Sequence, residues 1–323
     1  MGSAATSPDV LLRIIGLRVD FGVHTALCDV SFDLSAGETL GLVGESGSGK
    51  STLARAILRL VPAAQGTVLW RGKDLLACDP RQLRRLRRDL QIVFQDPLAS
   101  LNPRMTVGEA IAEPLRIFEP RLTTGEWTGR VGEMLQRVGL AAHMMGRYPH
   151  EFSGGQCQRV GIARAMILNP QLLICDEPVS SLDVSIQGQI VNLLLDLQRA
   201  AGTAMLFISH NLAVVRHLSH RILVMYSGRL VEIAPRDVLF AAPVHPYTRA
   251  LLAAVPSATP GQRTLPTPAV PSFTAASPRL KAGCAFRNRC AYAVAQCEVA
   301  EPALEEVAPR HWVACHRAAE FLS

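Results

Sequence analysis

Thr39-Leu40-Gly41-Leu42-Val43-Gly44-Glu45-Ser46-Gly47-Ser48-Gly49-Lys50-Ser51-Thr52 is the stretch that decides the fold. Its first five residues are a short apolar run of the kind that makes a strand buried on both faces. Gly44 to Ser51 then match G-x-x-x-x-G-K-[ST], and a helical pattern follows from Thr52 to Leu60. Strand, glycine-rich loop and helix in this order make a phosphate cradle. The glycines let backbone N–H groups turn inward, and the helix N-terminus adds a favourable dipole. Lys50 is expected to reach the β- and γ-phosphates and Ser51 to hold Mg²⁺. The loop from Gly44 to Thr52 therefore predicts ATP binding.

Two further segments belong with this loop. Leu172-Leu173-Ile174-Cys175-Asp176-Glu177 reads as an apolar strand ending in two carboxylates. Downstream of a phosphate loop, Asp176 is expected to bind Mg²⁺ and Glu177 to polarise the attacking water as a general base. Phe152-Ser153-Gly154-Gly155-Gln156 precedes a helical run, Cys157–Leu168. Its paired glycines fit either an ordinary Ser-capped helix start or a helix N-terminus left open for an anion.

The first 235 or so residues alternate short apolar runs with helical patterns, which predicts a parallel sheet with helices on both faces. Leu172–Cys175 and Met205–Ser209 are two more buried strands. Between them Ile186, Ile190, Leu193, Leu194 and Leu197 share one helix face, and Gly202 stops that helix. From about Leu101 to Phe152 the pattern is mostly helical, with Val131, Leu135, Val138 and Leu140 marking one amphipathic stretch. After Leu252 six prolines between Pro256 and Pro278 predict an irregular linker. The expected division is a nucleotide-binding domain over 10–250 with a helical subdomain at about 101–155, a linker over 251–282 and a C-terminal module over 283–323. There is no internal repeat and no second phosphate loop.

Composition bounds the setting. The 323 residues are 49% hydrophobic and 19% charged, as expected for a globular protein with a well-filled interior. No apolar run approaches the 18 or so residues that cross a bilayer, and Met1 to Asp9 carry no secretory pattern. The expectation is a cytoplasmic protein able to work against a membrane. The net charge of +6 is modest, and the one dense basic run, Arg81 to Arg88, reads as a solvated helix face or a contact for anionic lipid or an acidic partner. Of eight cysteines, Cys284, Cys290, Cys297 and Cys315 crowd into the last 40 residues. In a reducing compartment such a cluster points to metal rather than disulfides.

The phosphate loop, Gln95 in Val93-Phe94-Gln95-Asp96-Pro97, Ser153-Gly154-Gly155-Gln156, Asp176-Glu177, Ser180-Ser181-Leu182-Asp183 and His210 occur in the order found in ABC-transporter nucleotide-binding domains. The chain resembles that family over roughly residues 10–250. The resemblance implies a P-loop NTPase fold of α/β class: a mainly parallel sheet, an antiparallel β N-terminal part, a helical subdomain and a small Cys-rich C-terminal module. It implies that Gln95 contacts Mg²⁺ and the attacking water, and that His210 holds the γ-phosphate. Ser153 and Gly155 would bind the γ-phosphate held by an opposite subunit, and Asp183 would sit at the dimer seam. Phe21 matches the aromatic that stacks on adenine, although a Phe near an N-terminal strand is as often plain core.

Narrower features resemble the ATPase subunits of oligopeptide and dipeptide importers: Ser100-Leu101-Asn102-Pro103, Tyr148-Pro149-His150-Glu151 and His245-Pro246-Tyr247-Thr248. Gly155-Gln156-Cys157-Gln158-Arg159 and Asp183-Val184-Ser185-Ile186-Gln187 look more like the F-type subunit than its D-type partner. Such importers pair the two ATPases beneath two permeases on the cytoplasmic face of the membrane, fed by an extracytoplasmic binding protein. Nickel and glutathione importers share much of the pattern. Cys284-x5-Cys290-x6-Cys297-x17-Cys315 lacks the close ligand pair of structural zinc sites. Similar four-cysteine tails in peptide-importer ATPases imply a [4Fe–4S] cluster, with zinc (helped by His311 or His316) and no metal as alternatives. The rival classes are a soluble ABC protein acting on nucleic acid or ribosomes, and an ATPase switch for an iron–sulfur sensor. The first commonly carries two cassettes or a long coiled coil, and this chain has neither, so no nucleic-acid partner is expected.

Overall fold

The computed structural model describes residues 10–254 and 282–322. Its strands are β1 (Val10–Phe21), β2 (His24–Ser35), β3 (Thr39–Val43), β4 (Gln65–Trp70), β5 (Lys73–Asp74), β6 (Leu90–Val93), β7 (Leu172–Asp176), β8 (Ala204–Ile208), β9 (Arg221–Tyr226), β10 (Arg229–Pro235), β11 (Glu305–Ala308) and β12 (His311–Val313). They form two sheets, a four-stranded one in the order β2-β1-β4-β5 and an eight-stranded one in the order β11-β12-β10-β9-β3-β8-β7-β6. In the larger sheet β9, β3, β8, β7 and β6 run parallel, and β10, β12 and β11 extend it antiparallel.

Every residue of β3, β7 and β8 is buried, as expected of strands covered on both faces, and their polar side chains Thr39 and Asp176 stand at strand ends. The pleat divides the side chains of these strands and of the equally buried β9 between two cores. Leu173, Cys175, Met205, Phe207, Ile222 and Val224 pack on one side with the helices. Leu172, Ile174, Leu206, Ile208, Leu223 and Met225 pack on the other. The expectation of helices on both faces needs correction here. The second face is covered mainly by the antiparallel sheet, through Leu12, Ile14, Leu17, Leu27 and Leu34, with one helix, Lys50–Ile57. Twelve-residue strands β1 and β2 offer enough apolar surface to close that face without further helices.

The helical insertion is built from Val107–Phe118 and Thr124–Arg137, each started by a capping box, Thr106 with Glu109 and Thr123 with Glu126. Val131, Leu135, Val138 and Leu140 are all buried, as their spacing predicts. Helix Val184–Ala201 ends at Gly202 in the left-handed region, φ 65°. Helix Pro246–Ala253 runs into the start of the expected linker, and most of the proline-rich segment lies outside the described residues.

The C-terminal residues are not a detached tail. β12 pairs with β10, Glu232 opposite Val313 and Ile233 opposite Trp312, so the main sheet continues into them. His311 Nε2 lies 2.7 Å from Glu232 Oε1, and both side chains are buried. Phe286 joins the main helical core, touching Tyr226 edge-on with ring centres 5.2 Å apart.

Candidate active site

β3 delivers the phosphate loop, and Gly49 begins the following helix in the left-handed region, φ 108°, with no side chain capping it. The N–H groups of the first turn are therefore free of side-chain competition, as an anion site requires. Lys50 is buried, and its Nζ donates to the carbonyls of Gly44 and Glu45, each at 2.9 Å. Burial lowers its pKa, only partly offset by Glu177 and Asp176. A polyphosphate would supply the missing counter-charge.

The strand ends bring the other predicted groups to the same place. Ser51 Oγ donates to Asp176 Oδ1 at 2.7 Å. Burial pushes the Asp176 carboxyl upward, against the Ser51 hydrogen bond. Glu177 follows β7 with φ 49°, an uncommon conformation for a non-glycine residue. Its N–H is held by the Ile208 carbonyl at 3.0 Å. That fixes the carboxylate among three side chains: Lys50 Nζ at 3.8 Å, Gln95 Nε2 at 3.4 Å and His210 Nδ1 at 3.2 Å. Oxygen donors at Ser51, Asp176 and Gln95 suit a hard cation, and a carboxylate between Gln95 and His210 can take a proton from water.

Other predicted residues lie apart from this centre. Ser153 and Gln156 bond each other across the start of helix Gly154–Met166, at 3.0 and 3.3 Å. The Ser-capped helix start is thus present, with Ser153 and Gly154 exposed. Gly155 has a packing reason to be bare, since a Cβ there would stand 2.8 Å from Ile186 Cγ2. Asp183 is exposed at the start of helix Val184–Ala201. Phe21 is 49% exposed at the end of β1, which removes the plain-core reading.

Cys284, Cys290, Cys297 and Cys315 line one small cavity with Phe286, Arg287, His316 and Arg317. Burial pushes the Cys284 and Cys290 thiols up and the Cys315 thiol to about 11. Among the described residues, no group of three or more His, Cys, Asp or Glu side chains is placed to hold a metal ion. The thiols therefore share a void without closing on a single point. His316 faces the void, whereas His311 is engaged with Glu232.

Two contacts to the phosphate loop were not expected from the sequence. Tyr247 Oη accepts the Glu45 N–H at 2.9 Å, giving one residue of His245-Pro246-Tyr247-Thr248 a physical task. Arg289 forms a two-pronged ion pair with Glu45, at 2.8 and 2.9 Å. Only adjacency to Cys290 distinguishes Arg289 in the sequence.

Comparison with known proteins shows the family to which this chain belongs. The profile of a family described as ABC transporter matches residues 27–180, and that of the oligopeptide/dipeptide transporter C-terminal region matches 231–297. The chain is 50% identical to the oligopeptide transport ATP-binding protein OppF of Escherichia coli (strain K12), over 98% of both chains. It is 48% identical to a putative peptide import ATP-binding protein of Brucella ovis, over 95% of this chain and 98% of that one. Among solved structures, cbiO1 of Clostridium perfringens, part of the ABC transporter complex cbiONQ, superposes with a TM-score of 0.65 at 27% identity, covering 72% of this chain and 91% of that one. The ATP-binding cassette MJ0796, in a dimeric post-hydrolysis state with ADP and Pi, gives 0.63 at 29% identity, covering 70% and 98%. With its phosphate loop, paired strand-end carboxylates and near full-length identity to such relatives, this chain belongs to the ATP-hydrolysing, ATP-binding proteins of the ABC transporter family.

Proposed function

We propose that this chain powers peptide import across the cytoplasmic membrane, acting as the F-type ATPase of an ABC importer. The observation that carries the mechanism is the position of Glu177, met by Lys50, Gln95 and His210 and one residue beyond the Asp176–Ser51 pair. Lys50 and the loop amides hold the β- and γ-phosphates. Water attacks the γ-phosphorus, Glu177 takes its proton, and the bond to the β-γ bridging oxygen breaks to leave ADP and inorganic phosphate. Ser51, Asp176 and Gln95 are the residues that would hold Mg²⁺, which would offset charge on the phosphate oxygens. His210 holds the γ-phosphate and orients the water, and Phe21 stacks on adenine.

Exposure of Ser153, Gly154 and Asp183 supports a site completed across two subunits. Ser153, Gly154, Gly155 and Gln156 close on ATP held by a D-type partner, and the partner closes this chain's loop in return. Two permeases and an extracytoplasmic binding protein complete the machine. Among the described residues no helix is long and apolar enough to cross a membrane; the place on the cytoplasmic face belongs to the importer reading. The names of the relatives and the C-terminal profile favour peptide over nickel or glutathione as the solute. In the assembled complex, Glu177→Gln is expected to bind MgATP normally while turnover falls by about 10²-fold or more. Wild-type turnover would remove Glu177 as the base.

The four cysteines fit a [4Fe–4S] cluster better than zinc. Four thiols lining one cavity are the number such a cluster needs, and their spacing in the sequence lacks the close ligand pair of structural zinc sites. The cluster would pin together a segment with little core of its own. Anaerobically purified protein is expected to contain about four irons per chain and to be brown. Zinc without iron would overturn the assignment.

A further inference from the structure

Glu45 is an acid inside an anion cradle. It is the second residue of the phosphate loop, where a carboxylate repels incoming polyphosphate. Its backbone is held twice within the core, by Tyr247 at the N–H and by Lys50 at the carbonyl. Its side chain is held from elsewhere. Both oxygens accept from Arg289, 244 residues away in sequence and next to Cys290.

Arg289 is itself well fixed. Its guanidinium stands 5.8 Å from the ring centre of Tyr226 and 5.7 Å from that of Phe286. Phe286 is buried against Tyr226 and Tyr247, with ring centres 5.2 and 5.5 Å away. A forked arginine–carboxylate pair fixes direction as well as charge. The Arg289 side chain is 14% exposed, against 43% for Glu45. The contact is therefore a docking of the cysteine region onto the loop, and a lysine would not reproduce it.

We propose that Arg289 makes the four-cysteine region a working part of this chain's own ATP site, neutralising Glu45 and holding it aside so that the loop accepts polyphosphate. Arg289 is a positioning residue that acts through Glu45. Because binding couplings are reciprocal, nucleotide in the loop also favours the docked cysteine region. The inference rests on the loop being the nucleotide site and not on what the cysteines hold.

The test is a double-mutant cycle on the full chain, read as equilibrium binding of MgADP, with metal content measured alongside. Arg289→Met is expected to weaken binding by about 5- to 20-fold at unchanged metal content. In a Glu45→Gln background, which carries no charge to neutralise, the same substitution should change binding by less than about twofold. If Arg289→Met does not fold, Arg289→Lys enters the same cycle, with a smaller loss expected in the wild-type background only. Equal losses in both backgrounds, or none in either, would overturn the proposal. Lys50→Ala separates the two readings. If it leaves MgADP binding intact, the loop is not the nucleotide site; if it abolishes binding while the cycle is additive, only the role of Arg289 is lost.

Discussion

Gln95, Glu177 and His210 each stand one or two residues beyond a parallel strand of the main sheet, β6, β7 and β8. Of the four cysteines, only Cys297 lies in a helix, the five-residue Ala295–Val299; Cys284, Cys290 and Cys315 lie in irregular segments, Cys290 just after a short 3₁₀ segment at Arg287–Arg289. The first group is aligned by strands buried on both faces, so its geometry is a by-product of the largest core in the molecule. The second group is held by a limited set of individual contacts, among them the Cys284 N–H to the Cys297 carbonyl at 2.8 Å, strand β12 on β10, the buried His311–Glu232 pair, Phe286 in the main core and the Arg289–Glu45 pair. A site held by many weak packing contacts should resist single substitutions outside its chemistry. One held by a few specific contacts should not.

The largest effect is expected at His311. Glu232 is fully buried, and its oxygens also accept from the Val244 and His245 N–H groups, at 2.9 and 3.0 Å. His311→Ala leaves that carboxyl without its side-chain partner at the place where β12 joins the sheet. A loss of about 3 kcal/mol in unfolding free energy is expected, measured by denaturant titration. A change below about 0.5 kcal/mol would mean that the ladder alone anchors β12.

The same contrast governed what could be read from the sequence. β3 was legible to the residue, and β7 and β8 to within one, because continuous apolar runs and the phosphate loop are local signals. Lys50, Ser51, Asp176 and Glu177 stood out through local patterns and Gln95 and His210 only through the resemblance to ABC-transporter domains; the strands bring all six side chains to one place. Closure of one face by β1 and β2 was not, since a strand covering a sheet and a helix covering it answer the same need for apolar surface. β12 has three residues, too few for a period to show. The Arg289–Glu45 pair joins positions 244 residues apart with no local signature at either end.

A smaller effect is expected at Gly283. Its φ is 77°, and a Cβ there would press on the Cys297 carbonyl and stand 2.6 Å from the Glu298 carbonyl oxygen. Neither atom is the end of a flexible side chain, so the backbone itself must move. Gly283→Ala should cost about 2 kcal/mol locally, separating Cys284 from Cys297 and lowering the iron content that the proposed cluster predicts. Unfolding of the main sheet should be nearly unchanged. Loss of the whole fold would show the two regions to be one cooperative unit.

The smallest effect is expected at a helix start that lies apart from both regions but packs in the main core. At Gly155 a Cβ would meet a side chain rather than backbone, Ile186 Cγ2 at 2.8 Å, and Ile186 is only half-buried. The neighbour can yield, and alanine gains some helix propensity over glycine, so Gly155→Ala should cost about 1 kcal/mol or less. Most of that cost should vanish in an Ile186→Ala background, the coupling expected of two groups in contact. Turnover of the assembled complex separates packing from chemistry. If the glycine is bare only to fit against Ile186, turnover recovers with stability in the double variant. If its bareness also lets the partner's γ-phosphate approach the helix start, stability recovers and turnover stays low, which is the result expected.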